Sequence, residues 1–368
     1  MINLNYSVKR NEEDVFNNIK KISLNINPSN NILIQGENLI VLKELLKTHK
    51  GKIDLIYIDP PFATNKNFKI SDERVSTISS SYSDNLAYKD NLTGEEYLEF
   101  LRDRLFLLKE LLSDRGSIYL HIDSKIGHYV KIIMDEVFGF DNFRNDITRI
   151  KCNPKNFNRK AYGNIKDLIL FYSKNKNSIW NEVKEKFTEE DLKRLFKKTD
   201  DAGRFYTTIP LHAPGETQNG ATGKEWRGVF PPRGRHWRSE PKVLEELDKK
   251  GLIEWSKTGN PRKKVYADEK EGKKIQDIWA FKDYQYPKYP TEKNIELLNR
   301  IILNSSNENS IVLDCFCGSG TTLVSALNFN RKWIGIDESK EAINVTKEKL
   351  NKEKKLDKNF NYDFYIVD

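Results

Sequence analysis

The period of the apolar positions changes several times along the chain, and each change marks an element. NILIQG (31–36) is a short apolar run ended by Gly36. Leu39, Ile40, Leu42, Leu45 and Leu46 then recur at helical spacing up to Gly51, which predicts an amphipathic helix. KIDLIYID (52–59) predicts a buried strand, 94–116 a helix with an apolar stripe closed by Gly116, and GSIYLHID (116–123) a second buried strand. A helix over 125–139 and a strand over 167–175 follow. The pattern resumes at 290–306, where Ile295, Leu297, Leu298, Ile301 and Ile302 share one helical face. After it come a strand at 310–314, a short helix at 323–330, the strand KWIGID (332–337) and a helix through 352, and DFYIVD suggests a short last strand. Continuous apolar strands alternating with amphipathic helices predict an α/β protein with a doubly wound, mostly parallel sheet.

The remaining segments break this rhythm. Residues 1–30 read as an arm or leading helix, and 63–93, polar and serine-rich, as a long mobile loop. Residues 175–275 are charged, hold Trp180, Trp226, Trp237 and Trp255, and show little strand–helix alternation, so they read as an insertion. Residues 353–368 form a tail.

Composition narrows the class. Across 368 residues, 32% are charged and the formal net charge is +8, a balance that suits a polyanionic partner without proving one. No apolar run approaches the ~18 residues of a spanning helix, and the first residues carry no apolar core of a leader. Cys152, Cys315 and Cys317 are too few and too closely placed for a zinc or disulfide framework. No metal site is therefore expected, and unpaired thiols suit a reducing compartment.

Two stretches carry candidate chemistry. In SIVLDCFCGSGTT (310–322), a strand ends at Asp314, a glycine-rich turn follows and a helix begins near Thr321. Such a turn lets a ligand approach the backbone closely at a helix N-terminus. Its G-S-G-T-T spacing is a poor fit to the dinucleotide pattern, which disfavours a nicotinamide oxidoreductase. Asp337, at the end of the next strand, could accept hydrogen bonds from both hydroxyls of a ribose. An ordinary strand–turn–helix unit without ligand has the same outline.

The other stretch is DLIYIDPPFATNKNF (54–68). Asp59, Pro60, Pro61 and Phe62 put a carboxylate, two residues without an N–H and an aromatic ring at the mouth of a buried strand. Asp59 and the Pro60 carbonyl could together accept both protons of an amino group, with Phe62 stacked on the ring that bears it. A strand ending in a Pro-Pro turn is the plainer alternative.

Together, Asp-Pro-Pro-Phe and Phe-Cys-Gly-Ser-Gly-Thr-Thr resemble the D-P-P-[YF] and F-x-G-x-G motifs of DNA amino-methyltransferases that use S-adenosylmethionine. The catalytic motif precedes the cofactor motif, which resembles the β class, a circular permutation of the Rossmann-like methyltransferase fold that includes type III modification subunits. The resemblance spans about 31–345. It implies a catalytic half at 31–174, a target-recognition region at 175–275 and a cofactor-binding half at 276–352. It also implies a cofactor site of Asp314, Phe316, Cys317, Gly318, Gly320, Thr321 and Asp337. QGENLIVLKEL is similar to the G-[DE]-N-L segment, which places Glu37 and Asn38 near the adenine, with Glu37 in place of the commoner Asp. YPTEKN (289–294) is similar to [HY]-P-T-[QE]-K-P, which places Thr291 and Lys293 near the methionine carboxylate; Asn294 replaces its proline. ATGKEWRGVFPPRGRHWR (221–238) is similar to a segment of adenine-specific members.

The physical reading of that segment is nucleic-acid contact through Trp226, Arg227, Arg233, Arg235, His236, Trp237 and Arg238. Arginines clamp phosphates or base edges, and aromatic rings stack on exposed bases. The implied activity is methylation of N6 of an adenine flipped out of double-stranded DNA, with residues 63–68 and 71–85 closing over it. N4 of cytosine is the competing target, although family members acting on it more often have Ser at the position of Asp59. A catalytically idle nucleic-acid-binding subunit is the other reading. RNA has no positive signal beyond charge. The family further implies a bacterial, cytoplasmic setting, a leaning towards homodimers and a separate restriction or recognition partner.

Overall fold

The computed structural model describes residues 3–61, 67–70, 85–89, 94–154, 160–217, 219–285, 292–356 and 360–367. It comprises two compact units, the first formed by 1–183 with 276–368 and the second by 184–275.

The first unit is built on a nine-stranded sheet. Its strands are β1 (Asn31–Gln35), β2 (Ile53–Ile58), β3 (Leu112–Ile122), β4 (Phe143–Ile150), β5 (Lys166–Ser173), β6 (Ile278–Trp279), β7 (Ile311–Asp314), β8 (Lys332–Asp337) and β9 (Tyr362–Ile366). They lie in the order β6-β4-β5-β3-β2-β7-β8-β1-β9. All pairs are parallel except those of β5 with β3 and β4. The expected mostly parallel sheet is the one observed. Its helices are α1 (Glu12–Asn17), α2 (Asn38–His49), α3 (Gly94–Leu111), α4 (Ser124–Phe138), α5 (Ile295–Ser305), α6 (Thr321–Asn328) and α7 (Lys340–Leu356). Ile32, Leu33, Ile34, Leu55, Ile56 and Ile58 are fully buried, as strands covered on both faces must be. The stripe expected on α5 is the one buried, through Leu297, Leu298, Ile301 and Ile302. Among the described residues no helix is long and apolar enough to cross a membrane.

Four local expectations are corrected. The helix expected to reach residue 116 stops at Leu111, and β3 starts at Leu112, which pairs with Ile53. The ladder then shifts, so that Ser117 opposes Leu55, and Gly116 makes this bulge possible. A Cβ there would lie 2.8 Å from the Ile53 carbonyl and 2.7 Å from Leu112 Cδ2. The strand β4 carries no apolar alternation in FRNDITRI and was not anticipated. In the stretch read as a loop, Asn67–Ile70 and Asn85–Lys89 pair antiparallel; the rest of 63–93 lies outside the described residues. Residues 175–183 belong to the first unit, not to the inserted one.

The second unit is mainly antiparallel. Phe205–Pro210 pairs with Pro261–Tyr266, and Ile253–Trp255 and Lys198–Thr199 flank them. His212–Pro214 pairs with Arg235–Trp237. Leu211, Trp226, Trp237, Leu244 and Ile253 form its core.

Candidate active site

The sheet brings the two motifs together. β7 runs parallel beside β2, with Val312 opposite Leu55 and Leu313 opposite Ile56. The carboxyl ends of these neighbours deliver Asp314 and Asp59 to the same edge. β8 and β1 extend that edge with Asp337 and Glu37. The chain leaves β2 towards β3 on one side and β7 towards β8 on the other, so the crevice between them is a topological switch point, where open α/β sheets bind ligands.

The glycine-rich turn is held by the two carboxylates flanking it. Asp314 Oδ1 accepts the Phe316 N–H at 3.0 Å and Oδ2 the Thr322 hydroxyl at 2.6 Å. Asp337 accepts the Gly318 N–H at 2.8 Å and the Ser339 N–H at 2.9 Å. Gly318 and Gly320 have φ of 52° and 75°, a region that side chains avoid. A Cβ on Gly320 would also lie 2.7 Å from Thr346 Oγ1. Cys317 and Thr321 are buried in the turn, whereas the Phe316 ring is half-buried. Burial raises both acids, Asp314 to about 7 and Asp337 to about 6. The hydrogen bonds just described oppose that rise, and the charge of Asp59 adds to it at Asp314.

A raised carboxyl favours the fold while protonated. The Asp314 contribution is therefore present below its ordinary 3.8 and is lost as pH rises through about 7. We expect the stability of the wild type relative to Asp314→Asn to fall between roughly pH 4 and 7 in thermal unfolding and to level off above that. Taking the difference removes the opposing effect of buried His49, lowered from 6.5 to about 4 by burial and by nearby Lys52. A pH-independent difference would contradict the assignment.

Beside the turn, Glu37 caps α2 by accepting the N–H groups of Leu39 and Ile40 at 3.0 and 2.9 Å. Buried Arg104, on α3, fixes this corner. It donates to Glu37 Oε1 at 2.5 Å, to Asn38 Oδ1 at 2.6 Å and to the Phe100 carbonyl at 2.7 Å. Asn38 in turn donates to the Cys315 carbonyl at 2.8 Å. The guanidinium lies 3.5 Å from the centre of the Phe100 ring, which neighbours Phe316 at 6.1 Å. Arg104 was missed in the sequence because it looks like one more charge on an amphipathic helix.

At the mouth of β2, Pro60 is buried and Pro61 half-buried. Asp59 Oδ2 pairs with the Lys293 ammonium. The resemblance placed Lys293 near a methionine carboxylate, whereas here it lies against Asp59. Among the described residues Asp59 Oδ1 is buried without a hydrogen-bond partner. Phe62 and Thr291 lie outside the described residues. His121, at the end of β3, is also drawn in, with Nδ1 4.0 Å from Asp59 Oδ1. It was missed because a lone histidine in an apolar run reads as part of a buried strand. Among the described residues no three His, Cys, Asp or Glu side chains group as metal ligands.

These residues fit an adenosyl sulfonium cofactor by their chemistry. Carboxylates converge at the carboxyl edge and hold the left-handed glycine turn, with a half-buried aromatic ring beside them. A Glu–Asn corner completes the set.

The second unit corrects part of the basic segment. Trp226 and Trp237 are 4% and 1% exposed and form its core, so neither ring offers a face to a base. Arg227 is bound to Glu245 at 2.9 and 2.8 Å and pairs with Asp248, so its charge is already answered. Arg233, Arg235 and Arg238 are exposed. Half-buried His236 donates from Nδ1 to the Gly215 carbonyl at 2.8 Å. The burial follows from the Trp226 and Trp237 N–H groups, which reach Glu245 and the Lys224 carbonyl.

Comparison with known proteins places this geometry in context. A family model described as DNA methylase (N6_N4_Mtase) matches residues 53–348. The chain is 44% identical over 315 residues to the type II methyltransferase M.EcaI of Enterobacter cloacae, covering 84% of this chain and 67% of that protein. It is 27% identical over 401 residues to the probable type III restriction-modification enzyme HindVI Mod subunit of Haemophilus influenzae, covering 88% and 51%. It is also 27% identical over 394 residues to the EcoPI Mod subunit of Escherichia phage P1, covering 87% and 59%. The chain thus spans between half and two thirds of the length of these relatives.

Proposed function

This chain belongs to the DNA methylase family, and from that premise we propose that it transfers a methyl group from S-adenosylmethionine to N6 of an adenine flipped out of double-stranded DNA. The observation that carries the reading is Asp59 Oδ1, a buried carboxylate oxygen beside a Pro-Pro turn that has no hydrogen-bond partner among the described residues. An anion acceptor without a partner is costly in a buried site unless a ligand completes it. An exocyclic amine is the donor that suits it.

When bound, the cofactor supplies an electrophilic methyl group on a cationic sulfur. The protein's own residues do the rest by holding the amine. Asp59 Oδ1 accepts one amine hydrogen and the Pro60 carbonyl the other, which aims the nitrogen lone pair and draws electron density onto it. The positive charge that grows on the nitrogen faces Asp59. Lys293 holds the other carboxylate oxygen, which fixes the rotation of the side chain. Phe62, which lies outside the described residues, is the ring expected to stack on the flipped base. Glu37 and Asn38 face the adenine of the cofactor, Asp337 its ribose, and the turn from Asp314 to Thr321 its backbone. Thr291, which lies outside the described residues, and Lys293, beyond its pairing with Asp59, are assigned to its carboxylate end by the resemblance alone.

Adenine is preferred over cytosine because the acid at position 59 matches the adenine pattern. An N4-cytosine enzyme would use the same geometry. The type III Mod relatives support a separate restriction or recognition subunit as partner, and we propose that the chain works in restriction-modification or in DNA marking, with a leaning towards a homodimer.

In the second unit, Arg233, Arg235 and Arg238 supply the backbone contacts, with His236 beside them. Replacing Arg235 and Arg238 by alanine should weaken DNA binding and reduce the slope of log K against log salt by about one for each phosphate no longer neutralised. Arg227→Ala should leave that slope unchanged. An altered slope in Arg227→Ala with none in the double variant would reverse this assignment.

The reading is tested with tritium-labelled S-adenosylmethionine and methylation-free bacterial DNA. Label that a deoxyribonuclease releases supports it, and label in RNA alone or in neither polymer overturns it.

A further inference from the structure

A buried polar chain crosses the sheet beside Asp59. Tyr57 stands two residues before Asp59 on β2, and His121 lies near the end of β3 opposite Ile169 of β5. Asp167 of β5 is paired in register with Arg149 of β4. His121, Arg149 and Asp167 are at most 2% exposed, and polar groups so placed in strands need partners. His121 Nδ1 lies 2.9 Å from the Tyr57 hydroxyl and Nε2 3.3 Å from Asp167 Oδ2. Lys151 donates to Asp167 Oδ1 at 2.6 Å, and Arg149 Nη1 lies 3.6 Å from Oδ2.

These partners place the ring hydrogen. Burial alone would raise Asp167, yet the hydrogen bond from His121 and the Lys151 ammonium hold its carboxyl well below the ordinary range. Asp167 is therefore an acceptor only, and Nε2 carries the hydrogen. Burial holds the imidazole neutral, although Asp167 and Asp59 pull the other way and Lys293 assists. Nδ1 is thus a lone pair, which accepts from Tyr57, a hydroxyl that burial keeps protonated. Arg149 and Lys151 stand behind Asp167 and add two charged neighbours on that side of the ring. At 4.0 Å from Asp59 Oδ1, Nδ1 has no hydrogen to offer it.

We propose that Tyr57, His121 and Asp167 are positioning residues for methyl transfer: they hold the imidazole as its Nε2–H tautomer, so that no ring N–H competes for Asp59 Oδ1. The opposite tautomer would put a donor 4.0 Å from that oxygen, and a small shift of the ring away from the Tyr57 hydroxyl would bring it onto the acceptor that the amine needs. The inference rests on the reading of Asp59 as the amine's acceptor. Asn at position 167 can offer its amide N–H₂ to Nε2 and so release the hydrogen to Nδ1.

The test uses the full chain labelled with ¹⁵N-histidine, with the His121 signals assigned by their loss in His121→Gln. Long-range proton–nitrogen correlations should show wild-type His121 neutral, with its hydrogen on Nε2, from roughly pH 6 to 8. Asp167→Asn should populate the Nδ1–H form and lower kcat on methylation-free DNA about 10- to 100-fold, as loss of an orienting partner typically does. Its KM for S-adenosylmethionine should stay within about twofold, since the interaction acts on the transition state. A hydrogen on Nδ1 in the wild type overturns the proposal and requires no variant to fold. Wild-type kcat in Asp167→Asn despite a changed tautomer overturns it as well. If Asp59→Asn keeps full activity, the amine reading itself falls; if Asp59→Asn is inactive while Asp167→Asn is fully active, only the positioning role falls.

Discussion

Asp59→Ala is expected to lower the single-turnover rate of methyl transfer by about 10²–10³-fold, the usual loss when one preorganised partner of a developing charge is removed. Binding of S-adenosylmethionine, measured by calorimetry, should change little, because the proposed arrangement gives Asp59 to the amine and Glu37, Asn38 and the turn after Asp314 to the cofactor. One structural cost comes with the substitution. Lys293 is only 9% exposed and pairs with Asp59, and removing one partner of such a pair costs about 3–5 kcal/mol. The variant should therefore melt early. Asp59→Ala combined with Lys293→Met should recover much of that stability and none of the rate. Loss of rate that tracked stability across the two variants would mean that Asp59 is structural.

The second large effect is expected at Arg104→Ala. One buried guanidinium holds Glu37, Asn38 and the Phe100 carbonyl and covers the Phe100 ring. Its removal leaves Asn38 without its donor inside the core and Glu37 without its counter-charge. Glu37 keeps 34% side-chain exposure, so water recovers part of its solvation and the cost should fall near the lower end, about 3 kcal/mol. The α2 N-terminus then loses the fixed orientation of Glu37, and cofactor affinity should fall about tenfold, equivalent to 1.4 kcal/mol. Arg104→Lys should not restore it, because an ammonium cannot reproduce the three-directional fork. Thermal unfolding and calorimetry on the same samples check both parts. Unchanged cofactor affinity in a destabilised Arg104→Ala would confine Arg104 to folding.

The fold was legible where burial is two-sided. β1, β2, β7 and β8 are apolar runs because helices cover both faces of the sheet, and their ends are marked by Gly36, Asp59, Asp314 and Asp337. The pairing of β2 with β7 could not be seen in spacing, since residues far apart in the chain become neighbours only through the strand order. Strand β4 was invisible for a different reason. Asn145 and Asp146 interrupt its apolar pattern, and Arg149, which looks like a surface residue, is buried against Asp167. The same blindness hid Arg104, His121 and Asp167, because a sequence shows a charge but not the partner that makes its burial tolerable. Trp226 and Trp237 erred in the other direction. Their basic neighbours suggested a stacking platform, yet their N–H groups find partners inside the second unit, and the rings become its core.

The most direct measurement is the identity of the modified nucleoside. Methylation-free bacterial DNA is incubated with the protein and labelled S-adenosylmethionine, digested to nucleosides and separated by mass. The account predicts N6-methyldeoxyadenosine, present with the wild type and lost with Asp59→Ala. N4-methyldeoxycytidine would preserve the amine-holding site and contradict the choice of base. Methylated DNA formed equally well by Asp59→Ala would contradict the site itself.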